Sequence, residues 1–235
     1  MALQQELSFV LLGFDIALFC LATYKALRLF RHGCRMLTFL SAGLVCGMAQ
    51  AVIGVGMADR PVSTLVLVFS PFWFITVQAT TWIYVFRIQT LRVMAWMDAY
   101  VVSVPWIILC GQIPVIVLFN LDIYLGGVLT FTLAVGLVYD TTVILLEVGL
   151  FVALLKKVLC LLEYRPNFKK RFQREMMGTC LVIVLGDVAR MTTFLLADQP
   201  LIIVVSATTY LFRLLVIVYM YDILVEEVRG TPLMI

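Results

Sequence analysis

Six charged side chains lie in stretches of this sequence that are otherwise apolar enough to be buried in lipid. They are four acids and two arginines: Asp15, Asp140, Glu147, Asp187, Arg190 and Arg213. Leaving such a charge in hydrocarbon costs roughly 3 kcal/mol on insertion scales, so we expect these residues to face the interior of a helix bundle and to pair. Carboxylates and guanidinium groups held there could bind an ion, a proton or a small charged ligand.

The spacing of these residues suggests which of them combine. Asp187 and Arg190 are three residues apart, so they share one face of a helix. Asp140 and Arg213 lie at similar depth in the membrane when residues are counted from the outer end of each helix. We therefore predict the pairs Asp187–Arg190 and Asp140–Arg213, with Asp187 as the other acid within reach of Arg213.

Two acids remain in this scheme. Asp15 and Glu147 have no arginine, although Glu147 shares a helix face with Asp140, seven residues earlier. A surplus carboxylate in a low-dielectric environment favours its neutral form, or the company of a cation. The alternative for Glu147, which lies closer to the inner end of its helix, is contact with Lys25 or with interfacial water.

The predicted third helix carries polar groups among aromatic ones. Its candidate ligand contacts are Gln78, Thr81 and Trp82, preceded by Ser70 and Trp73. Aromatic walls with a few polar groups are typical of a small-molecule pocket. Thr and Gln also form hydrogen bonds between neighbouring membrane helices, so both interpretations stay open.

Small residues recur at helical spacing in the predicted second helix, at Gly43, Gly47, Ala51 and Gly54. Such a stripe lets another backbone approach closely. It could form a homodimer face, but we favour packing against helix one or helix three of the same chain.

The composition defines the elements that must position these residues. The chain has 235 residues, of which 63% are hydrophobic and 13% charged, so its solvent must be lipid. A membrane-spanning helix needs about 20 apolar residues. The apolar runs predict an all-α, seven-transmembrane-helix bundle forming a single domain over residues 1–235, with spans at about 7–29, 36–57, 62–87, 93–118, 127–155, 176–197 and 201–225.

The distribution of lysine and arginine predicts the orientation. The loops after helices one, three and five carry four, two and seven of these residues, whereas Arg60 is the one on the opposite side. Cytoplasmic loops retain Lys and Arg, which places the N-terminus outside and the C-terminus in the cytoplasm. The loop between helices five and six is predicted to form a cytoplasmic basic surface, and residues 120–126 an outer loop. The residues of that basic surface are Lys156, Lys157, Lys169, Lys170, Arg171 and Arg174.

Several activities find no support in the sequence. The single histidine, His32, lies outside the spans, and no nucleophile–base spacing is present, so we expect no catalytic residues, no metal site and no enzyme. The net charge of +3 gives no indication of nucleic-acid binding.

Seven helices with short loops, an outside N-terminus and a basic third inner loop resemble the layout of G-protein-coupled receptors and microbial rhodopsins. The motifs differ, because helix three ends in Tyr84–Ile88 where rhodopsin-like receptors have Asp-Arg-Tyr. Residues 205–207 are similar to the tripeptide before the retinal lysine of microbial rhodopsins, but Thr208 follows. Helix seven contains no lysine, so we expect neither a retinal Schiff base nor any other cofactor.

Three functions follow from these patterns for a multi-pass integral membrane protein. The first is a receptor-like sensor that binds a small ligand within the bundle and signals through the basic loop between helices five and six. The second is a small-solute, ion or proton-coupled transporter that uses the intramembrane carboxylates. The third is a non-catalytic structural subunit of a larger membrane assembly. We place the sensor first, because polar groups concentrate on helices three, five, six and seven.

Overall fold

The chain folds into long helices that follow its apolar runs. The computed structural model describes residues 2–29, 35–56, 62–90, 95–125, 129–164, 166–196 and 199–229. Within these ranges there are seven α-helices and one short 3₁₀ helix. Their bounds are α1 Ala2–Leu29, α2 Arg35–Gly56, α3 Val62–Thr90, α4 Ala95–Leu125, α5 Leu129–Leu161, the 3₁₀ helix Leu162–Tyr164, α6 Pro166–Leu196 and α7 Gln199–Arg229.

By length and composition, five of the described helices can cross a membrane. The stretches concerned are Gln5–Leu27, Met36–Gly56, Ala99–Leu121, Pro166–Thr193 and Leu201–Ile223. The described residues are therefore all helical, and the composition of five of their helices is that of a multi-pass integral membrane protein. The count of seven spans and the orientation stay predictions.

The central element of the bundle is α7. Of the residues in its apolar stretch, 78% are buried, against 22% in those of α1 and α6. It packs against α1, α2, α3 and α6. By contrast, α1 and α6 present large apolar side chains outward, among them Phe9, Val10, Leu185 and Val188. The outer helices therefore provide the surface that lipid would cover, and α7 provides the core.

The stripe of small residues on α2 packs inside this bundle. A Cβ placed on Gly43 would lie 3.1 Å from Ala79 Cβ and 3.1 Å from Leu214 Cδ1, and one on Gly47 would lie 3.0 Å from Leu211 Cδ2. The stripe thus lets α2 approach α3, as predicted, and also α7, which the prediction did not include.

Two predicted loops are helical instead. The fourth helix runs to Leu125 and so includes most of the predicted outer loop, where the Asn120 side chain donates to the carbonyl of Ile116 at 2.9 Å. The predicted loop between helices five and six is helical up to Leu161 and again from Pro166. Its lysines, arginines and glutamates are good helix formers, and proline is well suited to the first position of a helix. The high charge of this segment had indicated a loop, but the helix propensity of its residues explains why most of it is helical.

One member of the predicted basic surface is not on the surface. Lys157 is 1% exposed, and its ammonium donates to the carbonyl of Ile88 at 3.1 Å, at the end of α3. Because α5 continues as a helix here, successive side chains point in different directions, and Lys156 faces outward while Lys157 faces inward. The other predicted members, Lys169, Lys170, Arg171 and Arg174, are half-buried or exposed.

Candidate functional site

All six of the charged residues predicted within the spans are buried in the bundle, and none is more than 8% exposed. Five of them form one cluster between α5, α6 and α7, arranged in two layers. The antiparallel course of these helices creates the layers. Along the bundle axis, residue numbers rise on α5 and α7 and fall on α6. Glu147 therefore lies level with Asp187 and Arg213, and Asp140 lies level with Arg190.

The first layer is centred on Arg213 of α7. Its Nη2 donates to both carboxylate oxygens of Asp187 on α6, at 2.5 Å each. Its Nη1 also forms an ion pair with Oε2 of Glu147 on α5. Arg213 therefore bridges two acids from two helices. A cavity of about 10 Å³ borders Glu147 and Arg213, which is room for about one water molecule.

The second layer pairs Arg190 of α6 with Asp140 of α5. Nη2 of Arg190 donates to Oδ1 of Asp140 at 3.1 Å, while its Nε and Nη1 have no hydrogen-bond partner within the described residues. The ring of Tyr210 lies between the layers, with its centroid 5.1 Å from Cζ of Arg190 and 5.5 Å from Cζ of Arg213. Cation–π attraction to one ring thus connects the two guanidinium groups.

This arrangement corrects the predicted pairing. Arg190 contacts Asp140 instead of Asp187. Arg213 contacts Asp187, which was the other acid predicted within its reach, instead of Asp140. The prediction that Glu147 has no arginine is also wrong. Sequence spacing identified the correct faces of α5 and α6, but it does not specify how far each helix is rotated toward α7.

Beside the second layer lies a cavity of about 90 Å³, enough for several water molecules or part of a small organic molecule. Its walls include the aromatic rings of Phe69, Trp73 and Phe119, and its polar lining includes Asp140, Arg190 and Ser206. It lies toward the end of the bundle where α3, α5 and α7 begin. The cavity therefore combines an apolar wall with an ion pair, as ligand pockets do.

The predicted contacts on α3 lie elsewhere. The amide of Gln78 donates to Gln112 on α4 at 3.2 Å, and the hydroxyl of Thr81 donates to the carbonyl of Val77 at 2.8 Å. Trp82 stacks edge-on against Trp106, with ring centroids 6.1 Å apart. Gln78 and Trp82 therefore follow the interpretation of packing between helices, whereas Thr81 bonds within its own helix. None of the three lines the cavity.

Sequence reasoning overlooked several residues of the site, among them Phe69, Phe119, Ser206 and Tyr210. Tyr210 is three residues before Arg213, so the shared helix face could have revealed it. Phe119 and Ser206 gave no comparable signal, since aromatic and small polar residues occur throughout the apolar runs. Their role depends on how α4 and α7 are rotated, which spacing alone does not specify.

Asp15 lies apart from the cluster, on α1 where it packs against α7. It is 0% exposed, and neither carboxylate oxygen accepts a hydrogen bond from a described residue. The neighbouring hydroxyl of Thr208 donates to the carbonyl of Val204 at 2.9 Å instead. Burial without a partner favours the neutral carboxylic acid over the carboxylate.

Within the described ranges, no group of three or more His, Cys, Asp or Glu side chains is arranged to hold a metal ion. The expected lack of a metal site and of a cofactor stays a prediction. No protein-family model, curated protein or solved structure matches this chain.

Proposed function

We propose that this protein is a receptor-like sensor that binds a small ligand in the cavity beside Asp140 and Arg190 and passes the signal along α5 and α6. The observation that carries the proposal is that the ion pair at the cavity joins these two helices. The same two helices extend into the basic segment that includes Lys156 and Arg174. In the proposed topology the cavity is in the outer half and the basic segment is cytoplasmic.

The ion pairs matter for the contact between α5 and α6 because these two helices otherwise pack together only loosely. Among the described residues, these two contact each other less extensively than any other two consecutive α-helices. The contacts of Asp140 with Arg190, and of Glu147 and Asp187 with Arg213, are therefore a large part of what holds them together. A ligand that changes one of these ion pairs changes the coupling of α5 to α6.

An alternative set of contacts gives the cluster a second state. Arg190 is on the same face of α6 as Asp187, three residues away, so a change of rotamer brings its guanidinium group to that carboxylate. When a ligand occupies Asp140, Arg190 turns to Asp187, and Arg213 keeps Glu147. Each arginine then still forms an ion pair with a carboxylate, but the ion pair between Asp140 and Arg190 is broken. A ligand shifts such an equilibrium only by its difference in affinity for the two states.

Hydrogen exchange tests this function. The protein in lipid nanodiscs is exposed to phenethylammonium, 2-phenylethanol and 3-phenylpropionate, and exchange is followed in residues 156–175. We expect at least one probe to change exchange there in the wild type, since weakened helix contacts open more readily. Ser206→Leu, which fills the cavity, should remove the response. Unchanged exchange with all three probes would contradict the sensor.

A second candidate function, a proton-coupled transporter, is favoured by Asp15. A buried acid without a hydrogen-bond partner among the described residues could bind and release a proton during transport. Proton flux into vesicles under a pH gradient discriminates the two functions. Flux in the wild type that Asp15→Asn abolishes would favour the transporter, and no flux would leave the sensor.

A further inference from the structure

The charges and aromatic rings around the cavity indicate which class of molecule it takes. The cluster between α5, α6 and α7 contains the carboxylates of Asp140, Glu147 and Asp187 and the guanidinium groups of Arg190 and Arg213. With every group ionised, the acids exceed the arginines by one. A monovalent cation would balance the cluster, whereas an anion would add to its excess.

The group that the cluster presents to the cavity is a carboxylate. Oδ1 of Asp140 accepts the contact from Arg190, and among the described residues no hydrogen bond occupies Oδ2. The Asp140 side chain is 11% exposed, against 2% for Arg190, whose Nε and Nη1 are fully enclosed. A ligand that enters the cavity therefore meets the acid of this pair before the arginine.

The aromatic lining of the cavity suits the same ligand. Phe69, Trp73 and Phe119 line the cavity, and the ring of Tyr139 stacks edge-on against Trp73 with centroids 6.0 Å apart. Aromatic faces attract organic cations in addition to apolar groups. A cavity lined by aromatic rings and by a carboxylate with an oxygen that accepts no hydrogen bond from the described residues is thus complementary to an ammonium group attached to an apolar body.

We propose that the cavity binds a small amphipathic amine, with its ammonium group on Oδ2 of Asp140 and its apolar body against Phe69, Trp73 and Phe119. This inference rests on the proposed function, since it names the ligand class of the same cavity. Occupation of Asp140 by an ammonium group also weakens the contact with Arg190, because both cations compete for one carboxylate. Binding of the amine is then directly coupled to the release of α5 from α6.

The test compares phenethylammonium, neutral 2-phenylethanol and the anion 3-phenylpropionate by calorimetry with the protein in neutral-lipid nanodiscs. We expect the wild type to bind the amine more tightly than either other probe. A hydrogen bond to a charged group is worth about tenfold to a hundredfold in affinity. The double variant Asp140→Asn/Arg190→Gln, which removes both charges and leaves neither unpaired, should weaken binding of the amine by that factor.

The control removes a comparable ion pair elsewhere. Lys25 and Asp222 form a contact of 2.5 Å between α1 and α7, away from the cavity, and Asp222 is as buried as Asp140. The variant Lys25→Gln/Asp222→Asn should leave binding of the amine unchanged. Equal loss in both double variants would overturn the inference, because the effect would then come from a general loss of structure.

The remaining outcomes separate the ligand class from the function. If 3-phenylpropionate or 2-phenylethanol binds best and Ser206→Leu removes that binding, the cavity is a ligand site but the amine inference is wrong. If the amine binds best but Ser206→Leu has no effect, its site is elsewhere and the inference is also wrong. If no probe binds, both the inference and the proposed sensor fail.

Discussion

Asp187 accepts two hydrogen bonds of 2.5 Å from Nη2 of Arg213, on the neighbouring helix, although Arg190 is only one turn away on its own helix. This leaves Arg190 for Asp140 of α5. The two arginines therefore connect three helices instead of closing a contact within α6. Breaking one such contact affects the bundle and not a single helix.

Removal of Arg213 should be severely destabilising. Arg213→Ala leaves both Glu147 and Asp187 without their arginine in the bundle interior, and breaking a buried pair in this way costs about 3–5 kcal/mol. The measurement is thermal unfolding in nanodiscs. Arg171→Ala is the control, because its contact with Glu175 is on the surface and is worth at most about 0.5 kcal/mol. Similar losses in the two variants would contradict the bridging role of Arg213.

The close approach of α2 to α3 and α7 predicts a second effect on stability. Gly43→Val places atoms where Ala79 and Leu214 already lie, and such overpacking costs about 1–3 kcal/mol. Gly178→Val is the matched control, because nothing lies within 4 Å of a Cβ at that position. Since both changes replace a helical glycine by valine, their difference in unfolding temperature isolates the packing. No difference would show that α2 does not pack as described.

These contacts show how far the sequence predicts the structure. The apolar runs predicted the helices, and the cost of charge in lipid correctly predicted that Asp140 and Arg213 are buried. The partners were not predictable, because the spacing within a helix defines a face and not its rotation toward other helices. Lys157 was misassigned for a related reason, since charge alone does not show on which side of α5 it lies.

Replacing a paired buried acid, Asp140, and an isolated one, Asp15, by asparagine should affect stability differently. Asp140→Asn breaks the buried ion pair with Arg190, which must then share Asp187 with Arg213, and should cost about 1–3 kcal/mol of stability. Asp15→Asn exchanges one buried polar group without a partner among the described residues for another of the same shape. Because this change breaks no ion pair, it should lower the free energy of unfolding by less than Asp140→Asn does. Chemical denaturation in mixed micelles measures both free energies of unfolding, and a larger loss for Asp15→Asn than for Asp140→Asn would show that Asp15 has a bonded partner in the folded protein.

The orientation of the bundle can be checked independently of the cluster. Because lysine and arginine concentrate in the segments after the first, third and fifth helices, we expect the N-terminus outside and the C-terminus in the cytoplasm. A short epitope at each end, tested for access in intact and permeabilised cells, gives the answer. Access to both epitopes from the same side would exclude an odd number of spans.

The most direct test of the sensor is the distance between the basic ends of α5 and α6. Spin labels replace Lys156 and Arg174, both exposed, in a variant whose cysteines are removed, and pulsed dipolar spectroscopy measures their separation with and without phenethylammonium. We predict a shift of about 2 Å or more, the scale of helix movements in switching proteins. Asp140→Asn should shift the distance without ligand and abolish the response. An unchanged distance at a concentration that saturates the cavity would contradict the claim that ligand binding is coupled to α5 and α6.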